Sequence, residues 1–262
     1  MSVKEFKKKA LKNKFLIHSL RIFLLIGIVF LWESLSNKGV INEFLFSKPS
    51  SIYELFKQYL SNGEIFKHLK ISLYETLLGL IIGTSLGLFV AIALWYNKFI
   101  AKLLDPFLVV LNALPKTSLA PIFIIWAGTG VKGIVVVAVS ISLVVTILSA
   151  YSYFINVSEE KIKMLKSFGA NKFQILTKLI LPSNLVNIMG IIKINIGMSW
   201  IGVIVGEFIV SRAGIGYLLT YGSQVFRLDL VMMSVAVLAI VAYVMYLVIS
   251  FVEKQLLKIY EK

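Results

Sequence analysis

Long apolar runs alternate with short polar stretches along this chain, and the lysines gather in the polar stretches. The runs cover about residues 16–35, 71–95, 103–126, 134–153, 185–210 and 231–252, and each reaches the ~20 residues that a helix needs to cross a bilayer. The pattern predicts an all-α membrane protein: a polytopic helical bundle with six transmembrane helices. It forms a single transmembrane domain over 1–262, with a core at 70–253 and a basic N-terminal tail and first span at 1–36.

Within the runs, smaller signals predict local shape. Gly79, Gly83 and Gly87 recur every fourth residue and put a narrow face on the second span, so a neighbouring backbone can approach closely. Leu114-Pro115-Lys116 and Ala120-Pro121 break the third, because proline removes a helical donor and crowds the preceding turn. Between the first two spans, Ile52, Leu55, Phe56, Tyr59 and Leu60 repeat at helical spacing after Ser47, Lys48, Pro49 and Ser50. This predicts an amphipathic helix resting on the outer surface, capped by Ser50 or Ser51. Asn97 to Lys102 reads as a short inner loop, and Arg21 and Glu33 near the ends of the first span as residues that snorkel.

Composition supports the membrane class, with 58% hydrophobic residues and a mean hydropathy of +0.88. The net charge of +14 would suit a nucleic-acid partner, but the lysines lie in loops and termini, where membrane topology explains them. About twice as many basic residues fall in the predicted inner segments as in the outer ones, which places both termini in the cytoplasm. There is no cysteine, and His18 and His68 stand far apart, so no metal site is expected. The first run follows a basic tail without a small-residue cleavage site, unlike a removable signal peptide.

The longest polar interruption runs from Ser158 to Pro182. Ile162, Leu165, Phe168, Phe173, Leu176, Leu179 and Ile180 recur there at helical spacing, predicting two short amphipathic helices broken at Gly169. Lys161, Lys163, Lys166, Lys172 and Lys178 mark it as a cytoplasmic shelf. A plain alternative is a basic loop lying on anionic lipid.

Enzyme chemistry finds little support. No Gly-x-x-x-x-Gly-Lys-Ser/Thr string is present to cradle nucleotide phosphates, and the two aspartates, Asp105 and Asp229, are not clustered. The charges inside the spans carry more information. Lys193, Trp200 and Glu207 are seven apart and share a helix face, while Lys116 follows Pro115 in the broken span. An ionisable residue in a span costs at least ~2.5 kcal/mol on insertion scales, so such residues face a bundle interior or a wet pathway. Two readings follow: a translocation path with Lys116 opposite this face as counter-charge to an anion, or a structural ion pair of Glu207 with Lys116 or Arg212.

Gly169 and, thirteen positions on, Pro182, with Phe173 and Leu176 between, resemble the loop by which ABC-importer permeases dock into their ATPase. The family's signature ahead of the glycine is altered: Lys163 stands where it usually has Glu, Leu165 where it has a small residue, and Lys166 where it has Arg. The resemblance extends through Ala113-Leu114-Pro115-Lys116, Ala120-Pro121 and Trp126-Ala127-Gly128-Thr129-Gly130. It continues in Gly197-Met198-Ser199-Trp200, Gly206-Glu207 and Gly214-Ile215-Gly216-Tyr217. Together these are similar to permeases of the nitrate, sulfonate and taurine branch of type I importers.

The resemblance implies a multi-pass permease subunit in the plasma (inner) membrane of a prokaryote, carrying a small anionic solute. Two copies of the chain would enclose a path, with an ATP-binding subunit on each cytoplasmic shelf and an extracytoplasmic substrate-binding protein outside. ATP and Mg²⁺ would be bound by the ATPase, and the permease would need no cofactor of its own. Lys163, Lys166, Phe168, Gly169, Ala170, Phe173, Leu176 and Pro182 would form the coupling loop, with Phe168, Phe173 and Leu176 as its apolar knobs. Pro115, Lys116, Lys193, Trp200 and Glu207 would belong to the path. The competing functions are an ATPase-independent secondary transporter or channel using Lys116, Lys193 and Glu207, and a membrane scaffold for a cytoplasmic partner.

Overall fold

The computed structural model describes residues 3–260, and within these the side-chain surroundings of 3–15, 18, 257, 259 and 260 are left aside. The lysines of the N-terminal tail and Lys262 therefore lie outside the described side chains. The chain opens with α1 (Val3–Asn37), a short α2 (Glu43–Phe46), α3 (Pro49–Ser61) and the long α4 (Glu64–Tyr96). There follow α5 (Lys98–Ala113), α6 (Ala120–Ala127) and α7 (Val131–Ile155). Next come α8 (Glu159–Ser167), α9 (Lys172–Ile175), a π-helical turn (Leu176–Ile180) and α10 (Leu181–Ser183). The chain finishes with α11 (Leu185–Val210), α12 (Ile215–Gln224) and α13 (Leu228–Tyr260).

Among the described residues, five helices (α1, α4, α7, α11 and α13) are long and apolar enough to cross a membrane. The remaining predicted span, the third, is divided, because the chain leaves α5 at Leu114, turns through Pro115–Leu119 and re-enters helix at α6. Pro115 and Pro121 are the physical cause, since neither can donate to the carbonyl one turn back. The expected loop at 97–102 is likewise absent. Asn97 alone separates α4 from α5, and its side chain accepts from the amides of Phe99 and Ile100 at 3.0 and 3.2 Å.

α7 is the axle of the bundle. Of its apolar window 61% is buried, against 6% in α1 and in α13. α4 lies along it through Gly79, Gly83 and Gly87, where an added Cβ would overlap Ala138, Ser142 and Thr146. α11 approaches from the other side through Gly202 against Ala138 and Gly206 against Ile134. Backbones this close gain dispersion contact without burying long side chains, the usual solution where lipid supplies no hydrophobic drive between helices. Asn195 of α11 ties the three together by donating to Thr84 of α4 and Thr146 of α7 at 2.8 and 2.7 Å.

The amphipathic helix does not rest on the surface as its pattern suggested. α3 turns Ile52, Leu55, Phe56 and Tyr59 onto Ile215, Leu218, Leu230 and Met233 of α12 and α13, so protein covers four of the five apolar positions and leaves Leu60 exposed. Its start is held by α1. Ser50 donates its amide and hydroxyl to the Glu33 carboxylate at 3.0 and 2.9 Å, so Glu33 serves as a capping acceptor and Ser50 is not the cap itself.

Candidate functional site

Two regions at opposite ends of the bundle concentrate the polar geometry. The first is the 158–183 segment. α8 ends in a Schellman arrangement: Gly169 takes φ +80°, its amide donates to Lys166 at 2.9 Å, and the Ala170 amide donates to Leu165 at 3.0 Å. Ala170 and Leu165 both pack on the core beneath, completing the motif with an apolar contact. Asn171 then opens α9 with a capping box, exchanging hydrogen bonds with Gln174 at 2.8 Å in both directions.

Pro182 shapes the exit. It has no amide to give Lys178, and the preceding turn widens so that the Leu181 amide reaches Leu176, five residues back. Ile175, Leu176 and Ile180 are buried against Ala91, Ala150, Phe154 and Ile191. The segment is thereby bolted to the ends of α4, α7 and α11. Lys172 adds a hydrogen bond to the Tyr96 carbonyl at 3.4 Å and lies 5.1 Å from the centre of its ring.

Among what the bolts leave free are two aromatic rings. Phe168 is 81% exposed and Phe173 65%. Leu176 differs from both: its side chain is an anchor in the core and does not project. Lys163 and Lys166 stand on the exposed face of α8, with Lys163 3.4 Å from Glu159 one turn earlier.

The second region lies where α4, α11 and α12 meet. Glu207, 1% exposed, accepts from the Ser72 hydroxyl and from the Gly216 amide, each at 2.5 Å. Ser72 in turn accepts from the Ile215 amide at 2.7 Å, and His68 Nδ1 from the Gly214 amide at 3.0 Å. Three consecutive amides at the start of α12 are thus satisfied by side chains from α4 and α11. Glycine is required here, because Gly214 has φ +117° and a Cβ at either Gly214 or Gly216 would overlap the Glu207 side chain. Glu75 stands beside Glu207, 2% exposed and within hydrogen-bonding reach of it.

The face shared by Lys193, Trp200 and Glu207 is turned into the protein. Lys193 pairs with Glu253 of α13 at 2.5 Å and lies 5.5 Å from the centre of the Tyr246 ring. Trp200 is buried against Leu80 and Ile196, with Leu238 and Val241 of α13 beside it. Neither ion pair anticipated for Glu207 forms, since Lys116 donates to the Asn112 carbonyl at 3.2 Å and α12 claims the carboxylate. Pro115 and Lys116 occupy the break between α5 and α6, and Lys116 is half-buried there. Sequence reasoning passed over Ser72 and Glu75. A usable signal was present, because Glu75 lies in the second apolar run one turn before Gly79 and therefore on the packed face.

Comparison with known proteins matches residues 83–261 to the family described as binding-protein-dependent transport system inner membrane component. A putative aliphatic sulfonates transport permease protein, SsuC, of Bacillus subtilis is 29% identical over 88% of this chain and 84% of its own. The taurine transport system permease protein TauC of Escherichia coli is 24% identical over 91% of this chain and 88% of its own. Among solved structures, an inward-facing conformation of the MetNI methionine ABC transporter superposes with a TM-score of 0.60 at 16% identity, covering 71% of this chain and 91% of that one.

Proposed function

This chain belongs to the binding-protein-dependent transport system inner membrane components and is an ABC-transporter permease, and from that premise we propose that it carries a sulfonate-like anion into the cell. The observation that carries the substrate class is the likeness to SsuC and TauC over nearly the whole chain. Lys116, placed at the break between α5 and α6, supplies a positive charge suited to an anionic solute. Lys193, Trp200 and Glu207 contribute to the path by fixing how α11 sits against α4 and α13.

Two copies of the chain enclose the conduit in this reading, and an external binding protein delivers the solute. ATP and its Mg²⁺ are bound, and the ATP is hydrolysed, by a partner ATPase, one copy beneath each 158–183 segment. The coupling loop comprises Lys163, Lys166, Phe168, Gly169, Ala170, Phe173, Leu176 and Pro182. Phe168 and Phe173 enter the ATPase surface, while Leu176 and Pro182 relay its movement to the helix ends. The geometry supports this: an exposed apolar pair sits on a rigidly capped turn that is fastened to three spans at once. Rigid elements with two discrete placements are what transmit such movement. Both termini lie on the same side as that segment, in the cytoplasm.

The test is uptake by the reconstituted permease, ATPase and binding protein. Taurine, an alkanesulfonate, nitrate and a vitamin precursor are offered in turn. ATP-driven accumulation of the sulfonates is expected, and accumulation of the vitamin precursor alone would overturn the substrate class.

A further inference from the structure

The junction of α4, α11 and α12 holds two carboxyl groups and the hydrogen-bond donors for one. Glu75 and Glu207 are 2% and 1% exposed and lie within hydrogen-bonding reach of each other. Hydrogen accounting separates their roles. The Ser72 oxygen receives the Ile215 amide, so its single hydrogen points to Glu207 Oε1, while the Gly216 amide points to Oε2. Glu207 is thus met by donors at both oxygens, as a carboxylate is. Glu75 receives none of these donors, and its Oε2 is buried without a partner.

No cation balances a second charge. The ion pairs among the described residues are Lys48–Glu43, Lys163–Glu159, Lys193–Glu253 and Arg227–Asp229, and none reaches this junction. On α4 the neighbouring titratable group is His68, whose Nδ1 accepts from Gly214 and so carries no proton. α12 brings Tyr217, stacked on His68, and its backbone amide. α7 faces α11 here with Ile134 and Ala138, and α13 carries no charged residue between Asp229 and Glu253. Two full negative charges at contact would repel strongly even at an effective dielectric of about 20. A single hydrogen between them removes that repulsion and gives Glu75 its missing partner.

We propose that Glu75 and Glu207 bind one proton between them, held on Glu75 and donated to Glu207, and that this proton is a structural ligand fastening α12 to α4 and α11. Releasing it leaves two carboxylates facing each other behind the Gly214–Gly216 turn. The folded state then holds one proton more than the unfolded chain, so stability falls as pH rises.

Infrared spectroscopy of the purified full chain at about pH 7 tests this independently of transport. Wild-type protein is expected to show the carbonyl stretch of a protonated carboxylic acid, shifting when glutamate is carboxyl-labelled, and Glu75→Gln is expected to abolish it. Absence of that band from wild type overturns the proposal, even if the variant fails to fold. In thermal unfolding from about pH 6 to about pH 9, the unfolding equilibrium of wild type is expected to rise about tenfold per pH unit while the folded chain keeps the proton and to level off once it is lost, and Glu75→Gln to flatten that rise. An equally steep rise in Glu75→Gln would overturn it as well.

Discussion

At one end of the bundle Phe168 keeps 81% of its surface exposed, and at the other Glu207 keeps 1%. Both residues sit beside a glycine with positive φ, Gly169 at +80° and Gly214 at +117°, yet the two turns satisfy their amides by different means. The first uses its own neighbours: a Schellman arrangement and a capping box close their backbone bonds within a few residues. The second borrows two of its three acceptors, His68 and Ser72, from a helix more than a hundred residues away in sequence, and takes the third from Glu207 of α11. A locally capped turn can project apolar side chains and move as a unit. A turn capped from other helices welds them together and tolerates little change.

Gly214→Val should separate the two most sharply. Its Cβ would enter the Glu207 carboxyl from a backbone conformation valine avoids. We expect a loss of about 4 kcal/mol or more, read as a collapse in the thermal midpoint or in the yield of dispersed protein. A midpoint equal to wild type would show that the Glu207 turn is not a weld.

Phe173→Asp should produce the opposite profile. Substrate-stimulated ATP hydrolysis in the complex is expected to fall about tenfold or more, while the permease's own stability changes by no more than ~0.5 kcal/mol, since the ring is exposed. Full stimulation in the variant would remove Phe173 from the contact with the ATPase.

Smaller effects refine the picture between the two ends. Lys193→Met leaves Glu253 without its partner in a half-buried setting and is expected to cost ~1–3 kcal/mol. Adding Glu253→Leu should restore part of that loss, and additive losses would show that the pair contributes nothing jointly. Lys163→Ala breaks only an exposed pair and should leave the midpoint unchanged.

How far each region was legible follows the same division. The turn at Gly169, the break at Pro115 and the Gly79, Gly83 and Gly87 face could be read because their causes lie within one or two helical turns of sequence. The burial of α3 could not, since its apolar stripe suits a bilayer surface as well as α12 and α13. Glu207 was singled out, but its partners could not be named. Ser72 and Gly216 are ordinary residues until the fold brings α4, α11 and α12 together. α12 itself was hidden by Gly214, Gly216 and Gly222, which suggest a loop. Two of these are needed to pass Glu207, and Gly222 packs against Val231 and Leu230.

The central claim is that the conduit moves only when an ATPase acts on the 158–183 segment. Its most direct test is sulfonate flux into vesicles holding the permease alone or the permease with ATPase, ATP and binding protein. Flux is expected only in the complete system and should be lost again with Phe173→Asp. Equal flux through the permease alone would contradict the account.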